Sequence, residues 1–168
     1  MRHATWNEDQ IGDRRQQAFA AHFPCGNNLG DTARAMSQEN VEVVRRWTEA
    51  YNRRDIEGLL ELSDPDIEFR SIFAGIESGG AFRGSTGVYE YFKAIEDAYE
   101  SFQVLPDEYL DAGAGVVILS QAVWTGRKSG ASDATRIAVV VWLRKAKAMR
   151  VETFTDRTEA LEAAGLSE

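Results

Sequence analysis

Apolar side chains recur at helical spacing through Val41, Val44, Trp47 or Thr48, and Tyr51, which predicts a helix with one buried face. Ser37 is placed to cap it, and Glu39 falls in its first turn, where a negative charge suits the helix dipole. Asn52-Arg53-Arg54 interrupts the pattern. Asp55 then caps a second, shorter helix whose buried face is Ile56, Leu59, Leu60 and Leu62. Asp64-Pro65 ends it, because proline disfavours helix in the residue before it. Residues 66–71 alternate as a half-buried strand, with Ile67, Phe69 and Ser71 inward and Glu68 and Arg70 outward. A loop containing Gly75, Gly79 and Gly80 follows. Gly84-Ser85 opens a third helix with the apolar stripe Val88, Phe92, Ile95 and Tyr99.

From Glu100 the period changes to two. Strands are predicted over 102–110, 116–125, 135–144 and 149–155, with Pro106 marking an edge or a bulge in the first. The turns fall at Gly126–Gly130 and at Lys145-Ala146-Lys147. Asp156 and Glu159 form a capping box for a closing helix that ends at Gly165. Three early helices followed by an antiparallel meander is an α+β plan, with the helices on the concave face of a curved sheet. Strand 137–143 is apolar on both faces. Ile137, Val139, Val141 and Leu143 take one side, and Ala138, Val140 and Trp142 the other. The helices cover one side. The other meets a second subunit in a two-fold dimer, or is covered by the N-terminal stretch or the closing helix.

Composition narrows the chemistry. The chain has 168 residues and a formal net charge of −8. That suits one domain, and it opposes binding to nucleic acid or an anionic membrane surface, which want clustered basic residues. No apolar run is long enough for a membrane helix. A single cysteine, Cys25, gives no internal disulfide and fits a reducing, cytoplasmic compartment. Residues 1–35 show no sustained period and read as a disordered leader or as sequence upstream of a natural start at Met36, with the domain over 36–168. His3, His22 and Cys25 all precede Met36, so the domain has no imidazole base, no Ser-His pair and no His or Cys metal ligand. No metal and no cofactor is expected. The Gly75–Gly80 stretch lacks the spacing of a phosphate cradle and reads as a pocket mouth or a plain loop.

The segments Ser37–Trp47, Tyr51-Asn52-Arg53-Arg54-Asp55, Asp64–Ser71, Phe82-Arg83-Gly84 and Asp156–Leu166 resemble the SnoaL-like branch of the nuclear-transport-factor-2-like superfamily. The resemblance covers everything after Met36. It implies a cone-shaped roll with a pocket in its concave sheet, roofed by helices, and dimerisation through the convex face. Family chemistries can be placed position by position. The ketosteroid-isomerase general base falls on Ser71, its oxyanion tyrosine on Trp47 and its protonated aspartate on Val139. The Glu-His-Trp of polyketide cyclases reads Glu152-Thr153-Phe154, and Thr153 and Val139 take two carboxylate positions of the limonene-epoxide hydrolases. Scytalone-dehydratase-like chemistry wants histidines that the domain lacks.

The expected pocket is lined by Trp47, Tyr51, Phe69, Ser71, Phe92, Val139 and Thr153. Tyr51 either holds a ligand oxygen or packs with its hydroxyl at the rim, and Tyr89 and Tyr91 pose the same choice. Trp47, Phe69, Phe73, Phe92 and Trp124 form an aromatic box for a flat ligand or simple core. Glu152 points outward, and Asp133 and Arg136 pair either at the pocket rim or at the surface. The sequence thus predicts a dimeric protein that binds a small, largely apolar molecule. The alternatives are an isomerase, cyclase or lyase working through carboxylate or tyrosine, and a non-catalytic interaction module filled by its own side chains.

Overall fold

The stripe from Val41 to Tyr51 lies inside a longer helix, α1 (Asn28–Asn52). Because α1 begins ahead of Met36, Ser37 does not cap it. Its Oγ instead donates to Asp111 Oδ2 at 2.7 Å, at the far end of the sheet. Asp55 does cap α2 (Ile56–Glu61), accepting from the Gly58 N–H. The computed structural model describes residues 28–74 and 81–166. The leader up to residue 27 and the glycine-rich stretch 75–80, read above as a pocket mouth or a loop, lie outside the described residues.

After α2 the order is β1 (Ser63–Arg70), β2 (Ala81–Arg83), α3 (Gly84–Ala98), β3 (Tyr99–Asp111), β4 (Gly115–Gly126), β5 (Ser132–Arg144), β6 (Lys147–Phe154) and α4 (Arg157–Ala163). The six strands form one unclosed sheet in the order β2-β1-β6-β5-β4-β3. The meander β3 to β6 is antiparallel, while β1 joins it by a parallel pairing with β6. Pro106 satisfies both readings given for it. It stands on an edge strand and beside a register shift between Pro106 and Glu108, where its missing N–H costs no ladder bond. The β5–β6 turn is tighter than expected, with Lys145 and Ala146 both at positive φ, the twist that suits a two-residue hairpin. Tyr99 opens β3 rather than ending the stripe of α3.

Two cores flank the sheet. On the concave side, Val44, Trp47, Leu59, Phe92 and Ile95 of the three helices pack on Ile67, Ile118, Ile137 and Val141. On the convex side, α4 lays Ala160 and Leu161 over Val117, Leu119, Ala138 and Val140. The outer face of strand 137–143, expected to meet a second subunit or the closing helix, is covered by the closing helix at Ala138 and Val140, while Trp142 remains half-buried. The closing helix supplies the apolar partner that a doubly buried strand needs. Asp156 holds α4 in place by accepting from the Glu159 N–H.

The end of α1 is fastened to the edge strand β3. The Asn52 side chain donates to Val104 O at 2.7 Å and accepts from Val104 N at 3.0 Å. Arg54, at φ 58, donates to Phe102 O at 2.8 Å. This clasp holds the helical roof against one rim of the sheet. No helix among the described residues is long and apolar enough to cross a membrane.

Candidate functional site

The roof and the concave sheet meet around one small space. Trp47, Thr48 and Tyr51 reach it from successive turns of α1, and Tyr91 reaches it from α3. Phe69, Ile118, Val139 and Thr153 come from β1, β4, β5 and β6, with Phe102 of β3 and Phe73 closing one side. Alternation explains the sheet contribution, since Ile118 pairs with Val139 and Val139 with Thr153, so one row of three strands faces inward. The cavity volume is about 30 Å³. Its walls are largely aromatic: Trp47 stacks on Tyr51 with centroids 5.8 Å apart, and Phe69 stacks on Tyr91 at 4.8 Å.

Polar groups in the wall sort into two sets. Trp47 Nε1 donates to Ser63 Oγ at 3.0 Å, and Thr48 Oγ1 donates to Val44 O at 2.9 Å, so both donors are engaged outside the space. The Tyr51 and Tyr91 hydroxyls meet each other at 2.6 Å in a buried setting. Ser71 stands beside Tyr91, and its Oγ accepts from the Phe73 N–H at 3.1 Å. Among the described residues, no carboxylate, amine, imidazole or thiol lines the cavity. Among the described residues, no group of three or more His, Cys, Asp or Glu is arranged to hold a metal ion.

Burial holds both phenols neutral. It raises Tyr51 well above the ordinary tyrosine value, with the Tyr91 neighbour adding to the rise and the Arg54 charge opposing it. Burial likewise raises Tyr91, against its hydrogen bonds to Tyr51 and Ser71. Tyrosines of an unfolded chain ionise near about pH 10. Above that pH the unfolded chain has lost protons that the folded chain keeps, so the stability these phenols contribute is present below it and lost as pH rises through the folded values. In an alkaline titration, the phenolate absorbance of Tyr51 and Tyr91 is therefore expected to appear together with loss of the near-ultraviolet circular dichroism. A smooth titration of all five tyrosines with the fold intact would show that the pair is open to solvent.

Of the seven residues expected in a pocket, the structure brings Trp47, Tyr51, Phe69, Val139 and Thr153 onto this cavity. Phe92 lies behind it, against Tyr51 at 5.3 Å and Tyr91 at 5.4 Å, and beneath the Arg54 guanidinium. Ser71 stands one residue beyond the end of β1 and touches the site through Tyr91. Trp124 sits outside the wall, in contact with Phe73 and Tyr99. Glu152 faces out and binds Arg150 at 2.7 Å. Asp133 accepts from its neighbour Ala134 N–H rather than pairing with Arg136. Of Tyr89 and Tyr91, which posed the same choice as Tyr51, Tyr91 enters the site while Tyr89 is exposed. The stripe Val88, Phe92, Ile95 skips the i+3 position, which is Tyr91, and both residues are buried.

The chain matches solved structures along most of its length. An NTF2-like protein of unknown function from Burkholderia pseudomallei shares 24% identity over 74% of this chain and 95% of its own, with a TM-score of 0.64. A hypothetical protein with a ketosteroid isomerase-like fold from Catenulispora acidiphila, in complex with trimethylamine, shares 16% over 74% and 92%, with a TM-score of 0.59. A candidate polyketide cyclase from Xanthomonas campestris shares 16% over 76% and 98%, also with a TM-score of 0.59. At these identities the likeness is one of fold. No curated protein matches the chain in sequence. The SnoaL-like domain profile spans residues 44–151, from the buried face of α1 to the cavity strand β6. The roofed concave sheet and this match coincide, and the chain belongs to the SnoaL-like domain family.

Proposed function

We propose that this protein binds a small, flat, largely apolar molecule in the concave cavity and holds one of its oxygens by hydrogen bonding. The observation that carries this reading is a count of protons. Tyr91 and Tyr51 bring two hydroxyl protons to the cavity wall and share one hydrogen bond of 2.6 Å. One O–H is therefore left over within the pair, beside a cavity whose remaining surface is aromatic and aliphatic save for Thr48 and Thr153. An apolar wall with a few convergent polar groups is the usual composition of a ligand site. The bound trimethylamine of the Catenulispora protein supports a small-molecule role for the scaffold.

A second reading is an isomerase, cyclase or lyase in which a phenol of the pair donates a proton. The candidate polyketide cyclase among the structural relatives supports it. The absence of any base among the described lining residues weighs against it. A two-fold homodimer through the part of the convex face around Trp142, which Arg150 covers at 4.8 Å, and a cytoplasmic location complete the proposal.

Native mass spectrometry of the protein as purified tests it. The expected result is a mass of two chains plus a small excess that is lost on denaturation. A clean mass that persists when apolar phenols and ketones are added would favour a cone filled by its own side chains.

A further inference from the structure

We infer that Phe73 sets both the size of the cavity and the way into it, an inference that rests on the ligand-binding reading above. The cavity volume is about 30 Å³. That is roughly one water molecule's share of the liquid, whereas ligand sites generally measure about 300 Å³ or more. A ligand must therefore displace a side chain. Trp47 and Tyr51 stand on α1 and Tyr91 on α3, while Phe69, Phe102, Ile118, Val139 and Thr153 stand on hydrogen-bonded strands. All of these but Thr153 are buried, so their side chains have no free space to swing into. Phe73 stands on the irregular segment after β1, is half-buried, and is tied locally through its N–H to Ser71 Oγ.

Beyond Phe73 lies a second space. Its ring meets Phe102 edge-on at 5.0 Å and Trp124 at 5.6 Å. Phe102 and Trp124 are also walls of an open groove of about 660 Å³, bounded by the end of α1, the end of α3 and the rim of β3, β4 and β5. Phe102 lines both spaces, so the three rings form the partition between them. Swinging the Phe73 ring aside joins the cavity to the groove and adds the space of a phenyl ring to the cavity. The molecule admitted is a flat ring system of about the size of naphthol that carries an acceptor oxygen, and larger ring systems are refused while Phe73 is in place.

The test uses 1-naphthol and the larger 1-pyrenol as probes, with the protein's tryptophan fluorescence followed by stopped flow. Wild-type protein should bind 1-naphthol and refuse 1-pyrenol. Phe73→Ala should raise the 1-naphthol association rate about tenfold and admit 1-pyrenol. Phe73→Leu should fall between, and Phe73→Trp should slow association; these two decide the matter if the alanine variant loses its circular dichroism. Equal rates and equal size limits across the variants would overturn the role of Phe73 while leaving the cavity as a binding site. Failure of wild-type protein and every variant to bind 1-naphthol would overturn the ligand-binding reading itself, and this inference with it.

Discussion

Val139→Asp is expected to cost about 3 kcal/mol or more of stability at neutral pH, the order found when a charge is left buried without a partner. Val139 is 6% exposed and faces the cavity, with Ile118 on one side and Thr153 on the other. A carboxylate there would meet aromatic rings, aliphatic side chains and at best the hydroxyl of Thr153. Burial would raise the pKa of the new carboxyl in the folded protein. Below about pH 3.9 the group is protonated in both states, and the penalty is smallest. As pH rises past that value the unfolded chain gives up its proton first, so the penalty grows by about 1.4 kcal/mol per pH unit until the folded carboxyl also ionises. Urea unfolding of variant and wild type at acidic and neutral pH measures this as a difference. Equal stability at both would mean that position 139 is wet.

Trp47→Ala is expected to cost about 3–5 kcal/mol, the usual range for removing a buried tryptophan. The residue is 3% exposed and lies between Tyr51 and Phe69, so no neighbour can fill its place without leaving its own helix or strand. Its lost hydrogen bond matters less, because Ser63 Oγ still donates to Leu59 O at 2.7 Å. The hole would open onto the existing cavity and remain apolar, which gives a second readout. Indole at about ten times its dissociation constant should restore about 1.4 kcal/mol. Thermal melts with and without indole check both parts. A loss below about 1 kcal/mol would place Trp47 outside the packed core.

Much of the architecture was legible in the chain, and the misses have physical causes. The period-two stretches that became β3 to β6, the caps at Asp55 and Asp156, and the edge position of Pro106 all rest on local chemistry that reads directly from residue type. β2 has three residues, too few to show a period. Ser37 has the chemistry of a cap, yet α1 runs through it, because a serine inside a helix can point its hydroxyl at a distant acceptor such as Asp111. The covering of the convex face was ambiguous because α4 could be drawn as a helix without knowing where it docks. The cavity was half legible. Strand alternation placed Phe69, Val139 and Thr153, and helical spacing placed Trp47 and Tyr51. Ser71 lies one residue past the end of β1, where the strand rule no longer applies, and reaches the site through Tyr91. The Tyr51–Tyr91 contact joins residues 40 apart in sequence, and no local pattern signals it.

The clasp at the end of α1 bears on how the protein behaves when crowded with its own copies. β3 is a 13-residue edge strand, the kind of border along which foreign strands add and fibrils grow. Asn52 occupies both backbone groups of Val104 that an invading strand would need, and Arg54 occupies the carbonyl of Phe102. Farther along, Pro106 offers no N–H, and Asp107 and Glu108 add charge. Resistance to aggregation along this border thus resides in two side chains of the helix end that roofs the cavity, and changes there that tune the roof also expose the chain to self-assembly.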